Sequence, residues 1–171
     1  MTQELIDLRN SILEGRLEDA LAIVDELEWM SKKATLRNIN SFLIGMLSHL
    51  IKNQVERRLT NSWAASIADS LRQIQDLNLK DNKTSYYINQ DEWQEPLEEA
   101  LEAAIRVASV EVGEGQYSPR RLSELIDRTQ IMGIAFQLLA LTYIHTAKTL
   151  PDAVDENLAL LPGGEDWLQG R

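Results

Sequence analysis

The chain has 171 residues, 44% hydrophobic and 26% charged, with a formal net charge of −10 and no cysteine. That length and balance describe about one soluble globular domain, and the missing thiols exclude disulfides, Cys-rich zinc sites and thiol catalysis. The acidic balance also argues against a general affinity for nucleic acid, which rests largely on neutralising phosphates.

Helical periodicity is the dominant signal; no stretch alternates as a strand does. Thr2 is placed to cap a first helix carrying Leu5, Ile6, Leu8, Ile12 and Leu13, which should stop near Gly15. A second helix is expected from about Leu17 to Lys33, with Leu17, Leu21, Val24, Leu27 and Met30 as its stripe and acids at its start to suit the helix dipole. After a break or kink near Ala34 or Thr35, Leu36, Ile39, Leu43, Met46, Leu47 and Leu50 recur at three- and four-residue steps. Phe42, Ile44 and Ile51 widen that stripe enough to place this third helix centrally. It should decay near Arg58, and Thr60 or Asn61 should cap a fourth helix with Trp63, Ile67, Leu71, Ile74 and Leu77 on one face.

Residues 78–87 read as a polar loop. Asp91 is expected to cap a fifth helix burying Trp93, Leu97, Ala100, Leu101, Ala104 and Ala108, closed by Gly113, with Glu95, Glu98, Glu99 and Glu102 in water. Ser118-Pro119 is a start signal, a capping side chain followed by Pro at the first helical position. The stretch from Ile131 to Ala147 is apolar on nearly every side but holds Gln137 and His145 and falls short of the roughly 20 residues a bilayer demands. It predicts a buried helix or a self-association face, ended by Pro151. A short turn of helix should follow at residues 153–160, before Pro162-Gly163-Gly164 and Trp167.

Charge is unevenly placed. Ala34 to Lys83 carries seven basic residues against four acidic ones, while Asp91 to Glu114 carries eight acidic residues and only Arg106 against them. Solvated faces account for this, and attraction between the two segments is the sharper alternative. His49 and His145 are the only histidines, and neither follows a Glu by three positions, so paired Glu-x-x-His helices are missing. No metal ligand set and no cofactor are expected. Ser48 and His49 diverge by about 100° on a helix and make no nucleophile–base pair, and no Gly-rich phosphate loop is present. His49 is expected at a polar edge, bonded to a carboxylate or carbonyl. Trp63 is read as core, and Trp29, off its stripe, as a contact to a neighbouring subunit. The basic set Lys52, Arg57, Arg58 and Arg72 is the candidate site for an anion or an acidic partner, since Arg suits bidentate recognition of carboxylate or phosphate. Salt bridges tying helix ends, including Lys52 to Glu56 at i,i+4, are the plainer account.

Several segments occur in a characteristic order: Leu13-Glu14-Gly15-Arg16-Leu17-Glu18, Asp25-Glu26-Leu27-Glu28-Trp29-Met30, Leu47-Ser48-His49-Leu50-Ile51-Lys52, Arg57-Arg58, Ser62-Trp63, Arg72-Gln73-Ile74 and Pro119-Arg120-Arg121-Leu122. Over about Glu4 to Asp127 this series resembles the domain-of-unknown-function family twenty-nine, small helical proteins especially common in cyanobacteria. The resemblance implies an all-helical fold and carries over no activity and no catalytic residue. The family's aromatic-rich opening is absent here, and the apolar stretch after Arg128 lies outside its pattern.

The sequence therefore predicts an all-α, single-domain helical bundle of five or six main helices. Residues 1–128 should form the part that resembles the family, and residues 129–171 an apolar helix and tail packed on the bundle or held in an interface. The expected function is that of a non-catalytic interaction protein, self-associating as a homo-oligomer, a dimer first, through Met132, Phe136, Leu139 and Tyr143. A nucleic-acid-linked accessory role for the basic middle is the alternative. With no basic region followed by an apolar run at Met1, a cytoplasmic setting is expected and no membrane partner.

Overall fold

The computed structural model describes residues 2–170, and among them the regular structure is helical throughout, apart from an isolated bridge between Leu79 and Tyr86. The helices are α1 (Gln3–Leu13), α2 (Leu17–Glu56), α3 (Asn61–Asn78), α4 (Gln94–Ser109), α5 (Pro119–Leu125), α6 (Arg128–Ile144), α7 (Leu150–Leu158) and α8 (Gly164–Leu168). This exceeds the five or six expected, because the tail forms two short helices. Two compact units divide at Arg37 and Asn38, inside α2.

Up to Arg37 the chain is a helical hairpin. Gly15, in the left-handed region at φ 72°, turns α1 back, and the Arg16 N–H closes on Ser11 O at 2.8 Å. Ser11 and Ala20 are its fully buried residues. The break expected near Ala34 is absent, and α2 continues for 40 residues. Ala34 and Thr35 are compatible with helix, and the chain carries neither Pro nor a capping Gly there to stop it.

From Asn38 onward the apolar stripes meet as expected. Ile39, Leu43, Met46, Leu47, Leu50 and Ile51 of α2 are buried, as are Ile67, Leu71 and Ile74 of α3 and Leu97, Leu101 and Ile105 of α4. Helix α3 packs on α6 and α7, α6 on α7, and α4 on α5. Gly45 lies where α2 passes α3: a Cβ there would stand 3.8 Å from Ser70 Oγ. Two of the four expected caps form. Thr2 stands at the start of α1 without a side-chain bond. Asp91 does not cap α4, because residues 89–92 close a turn (Glu92 N–H to Asn89 O, 2.9 Å) and the helix begins only at Gln94. Thr60 Oγ1 accepts from the Trp63 N–H at 3.0 Å, and Ser118 Oγ accepts from Arg121 N at 3.1 Å ahead of Pro119. Pro151 does the opposite of what was expected. Helix α6 already ends at Ile144, and Pro151 occupies the first turn of α7, where its missing N–H costs nothing.

Residues 79–93 form a loop held from within. The Tyr143 hydroxyl donates to Ile88 O at 2.6 Å and accepts from Trp93 Nε1 at 2.7 Å and Asn78 Nδ2 at 3.1 Å. Asn78 also grips both backbone groups of Ile88 at 2.8 Å. Trp93 itself is buried.

Candidate functional site

The last turns of α2 gather the chemistry the chain puts there. Lys52 is only 3% exposed, so its ammonium must find a partner within the fold. It finds Glu111, just beyond α4, and not the Glu56 that helical spacing offered. Glu111 is delivered by the connection from Val110 to Gln116, which reverses through Gly113 and Glu114, both left-handed. Glu56 instead takes Arg58, at 2.9 Å from Nη2 and 3.0 Å from Nε. Reaching across to Glu111 leaves the Lys52 stem packed and its charge at the edge of water.

Asn53, also buried, donates from one amide to Arg58 O at 3.0 Å and Pro162 O at 2.8 Å. Arg57 stops the helix in the left-handed conformation, φ 57°, with its N–H returning to Asn53 O at 2.9 Å. The tail closes against this turn. A Cβ on Gly163 would fall 2.8 Å from Arg58 Cα, and Trp167 Nε1 donates to Asn61 Oδ1 at 3.1 Å. Trp63 is half-buried rather than core, with the Arg58 guanidinium 4.8 Å above its ring and the His49 ring stacked 6.5 Å away.

His49 departs from expectation. Its Nδ1 is buried and bonded to nothing, where a carboxylate or carbonyl partner was anticipated. Burial, reinforced by the nearby Lys52 charge, depresses its pKa below the ordinary 6.5, so the ring is neutral at neutral pH. Ser48 turns away, its hydroxyl donating to Gly45 O at 3.0 Å. The cluster is a fastening. Lys52 ties the end of α2 to Glu111, Asn53 ties it to Arg58 O and Pro162 O, and the Arg58 side chain closes on Glu56.

The four basic candidates are thus not gathered into one site. Lys52 is internal, Arg58 is engaged with Glu56 and Trp63, and Arg57 projects outward without an ion pair among the described residues. Arg72 borders a separate cleft of about 460 Å³, with Asp76, Tyr86, Tyr143 and His145. The four interface candidates separate as well. Leu139 is 0% exposed and belongs to the core. Tyr143 turns inward to hold the 79–93 loop. Met132 and Phe136 are partly exposed and floor a groove of about 850 Å³ between α4 and α6. An all-round apolar helix does not reveal from its sequence which side its neighbours cover.

Glu111, Asn53 and Asn78 were not singled out from the sequence. Two of them carried a signal. Asn53 continues the stripe of Met46 and Leu50 at helical spacing, and Asn78 continues that of Leu71 and Ile74, so each is an amide set on an apolar face. Glu111 carried none.

The pattern of the family described as Domain of unknown function DUF29 matches residues 7–129. The chain belongs to that family. Its match ends two residues into α6, so the remainder of that helix, with Met132 and Phe136, lies beyond the DUF29 region. No curated protein and no solved structure matches the chain significantly. Among the described residues no cluster of His, Asp and Glu is placed to hold a metal ion, and no helix is long and apolar enough to cross a membrane.

Proposed function

We propose that this DUF29 protein is a non-catalytic helical interaction protein that self-associates, and that its N-terminal hairpin carries the self-association. The supporting observation is the hairpin's surface. Leu13, Leu17 and Leu21 are 74%, 65% and 63% exposed, Ile12 and Trp29 are more than half exposed, and Leu5 and Met30 are exposed too. Two helices that fully bury only Ser11 and Ala20 hold too little apolar area to be ordered by themselves, and an apolar surface of this extent marks an interaction site. A second copy satisfies it. Pairing two hairpins about a two-fold axis yields four helices around a common apolar centre, with each stripe meeting its own copy. Trp29, expected from its off-stripe position to meet a neighbouring subunit, lies on this hairpin.

Light scattering of the full chain at roughly tens of micromolar is expected to give twice the monomer mass. Leu17→Glu with Leu21→Glu should give the monomer mass, with any loss of helix confined to the hairpin, since both side chains are in water within one copy. A wild-type chain that runs as a clean monomer, or a double variant that remains dimeric, overturns the proposal.

A further inference from the structure

The groove between α4 and α6 points to a different kind of occupant from the one proposed for the hairpin. Its floor is apolar: Leu101 from α4, and Met132 and Phe136 from α6. Its α4 rim is acidic, with Glu98, Glu99 and Glu102 all exposed. Arg128 is the basic residue lining it, and its charge is taken up by Glu102 at 2.7 Å, while its other nitrogen donates to Ser123 Oγ at 2.6 Å. Glu98 and Glu99 are left uncompensated by any basic side chain of the lining.

Gly133 supplies the second observation. Glycine inside a helix is destabilising relative to alanine, and here nothing in the fold requires it. Its backbone is ordinary helix, and a Cβ placed on it would meet no atom within 4 Å. Gly45 of α2, by contrast, faces Ser70 where two helices pass. Gly133 opens instead into the groove, where it lets another backbone come close to α6. Met132 beside it is an adaptable contact of the sort that moulds to a guest side chain.

We propose that this groove binds an amphipathic helix of a basic partner protein, its apolar anchors seated on Met132, Gly133 and Phe136 and its Lys or Arg residues against Glu98 and Glu99. Helix-in-groove recognition reads anchors at i, i+3 or i+4 and i+7, and about 850 Å³ is within the range of pockets that enclose a ligand. Charge selects against a second copy here. A two-fold contact through this face sets one acidic rim against the other, and like charges brought together across an interface repel.

The test uses the full chain and a fluorescein-labelled synthetic peptide of about 18 residues, five helical turns, with leucines at i, i+3, i+4 and i+7 and lysines elsewhere. Two controls accompany it: a scrambled peptide of the same composition whose leucines do not share a face, and a version with glutamates replacing the lysines. Anisotropy is read in about 0.15 M salt, where exposed charges are screened beyond about 8 Å. The Leu/Lys helix is expected to bind about tenfold tighter, or more, than either control. Gly133→Leu fills the groove and should weaken binding about tenfold while the melting temperature holds or rises; Glu98→Lys with Glu99→Lys should weaken it as much with melting unchanged. Equal binding of the scrambled peptide would reduce the effect to bulk attraction to an acidic chain, and would overturn the proposal. So would equal binding of the glutamate peptide, no binding by roughly 100 µM peptide, or unaltered binding by both variants. A change in the mass of the free protein on Gly133→Leu would make the occupant a second copy and overturn it equally. The hairpin dimer is read by mass and the groove by peptide affinity, so one proposal can fail without the other.

Discussion

Glu111→Gln isolates the pair that closes the end of α2. The substitution keeps the side-chain shape and removes the charge facing a Lys52 that is 3% exposed. Its cost lies between two limits. Breaking a pair in which both ions are buried costs about 3–5 kcal/mol, and breaking an exposed pair about 0–1 kcal/mol. Here the ammonium is inside but the Glu111 side chain is 61% exposed, so water screens the carboxylate and the glutamine oxygen retains part of the hydrogen bond. About 1–3 kcal/mol is expected, or a fall in melting temperature of roughly 2–4 °C per kcal/mol for a chain of this size. Lys52→Met removes the buried charge itself and keeps an unbranched stem in the same space. It should cost less than about 1 kcal/mol, because the stranded Glu111 is already hydrated. Urea unfolding of the two single variants and the double variant gives the coupling. In the Lys52→Met background the Glu111→Gln loss should vanish. An equal loss in both backgrounds, or no loss in either, would show that Lys52 does not depend on Glu111 and would refute the account of the joint.

Acid should destabilise the protein in two stages. His49 is held below its ordinary 6.5, so the unfolded chain takes up that proton first; stability is complete above 6.5 and falls as pH drops from there toward the folded-state value. Glu111, held below its ordinary 4.5 chiefly by the Lys52 hydrogen bond, adds a second loss below 4.5. His49→Gln should remove the first stage alone, seen in melting temperatures taken across the pH range. Tyr143→Phe deletes a hydroxyl with three partners and leaves the Trp93 indole N–H in the interior without an acceptor, which should cost about 2–3 kcal/mol. Amide exchange in residues 79–92 should quicken more than in α3, and uniform quickening would count against a local latch. Gly163→Ala and Arg57→Gly should move in opposite directions. The first puts a Cβ 2.8 Å from Arg58 Cα at φ 72° and should cost about 2 kcal/mol or more, whereas the second relieves a left-handed arginine and should stabilise by about 0.5–1 kcal/mol. Thermal melts that shift the same way for both would show that the conformation of this turn is not what limits it.

The sequence by itself determined the all-helical class, the stripes that became the core from Ile39 to Ile74, and the starts at Thr60 and at Ser118-Pro119. These signals act within a turn or two of backbone, where side-chain spacing and a capping oxygen decide the outcome without any distant partner. It did not determine the continuity of α2 through Ala34, because no residue there either demands or forbids a stop. Nor did it determine the partner of Lys52. Helical spacing offered Glu56, four residues on, and the fold supplied Glu111, 59 residues on. The amide of Asn53 bridges 109 residues to Pro162, a link no local rule contains. The all-round apolar character of α6 left its two sides indistinguishable until α3 and α7 covered Leu139 and Tyr143 turned in to the loop, leaving Met132 and Phe136 beside α4. Tertiary structure decided those questions for one reason: which face of a helix is dry, and which charge a buried ammonium meets, depend on the elements packed against it and not on the residues beside it in sequence.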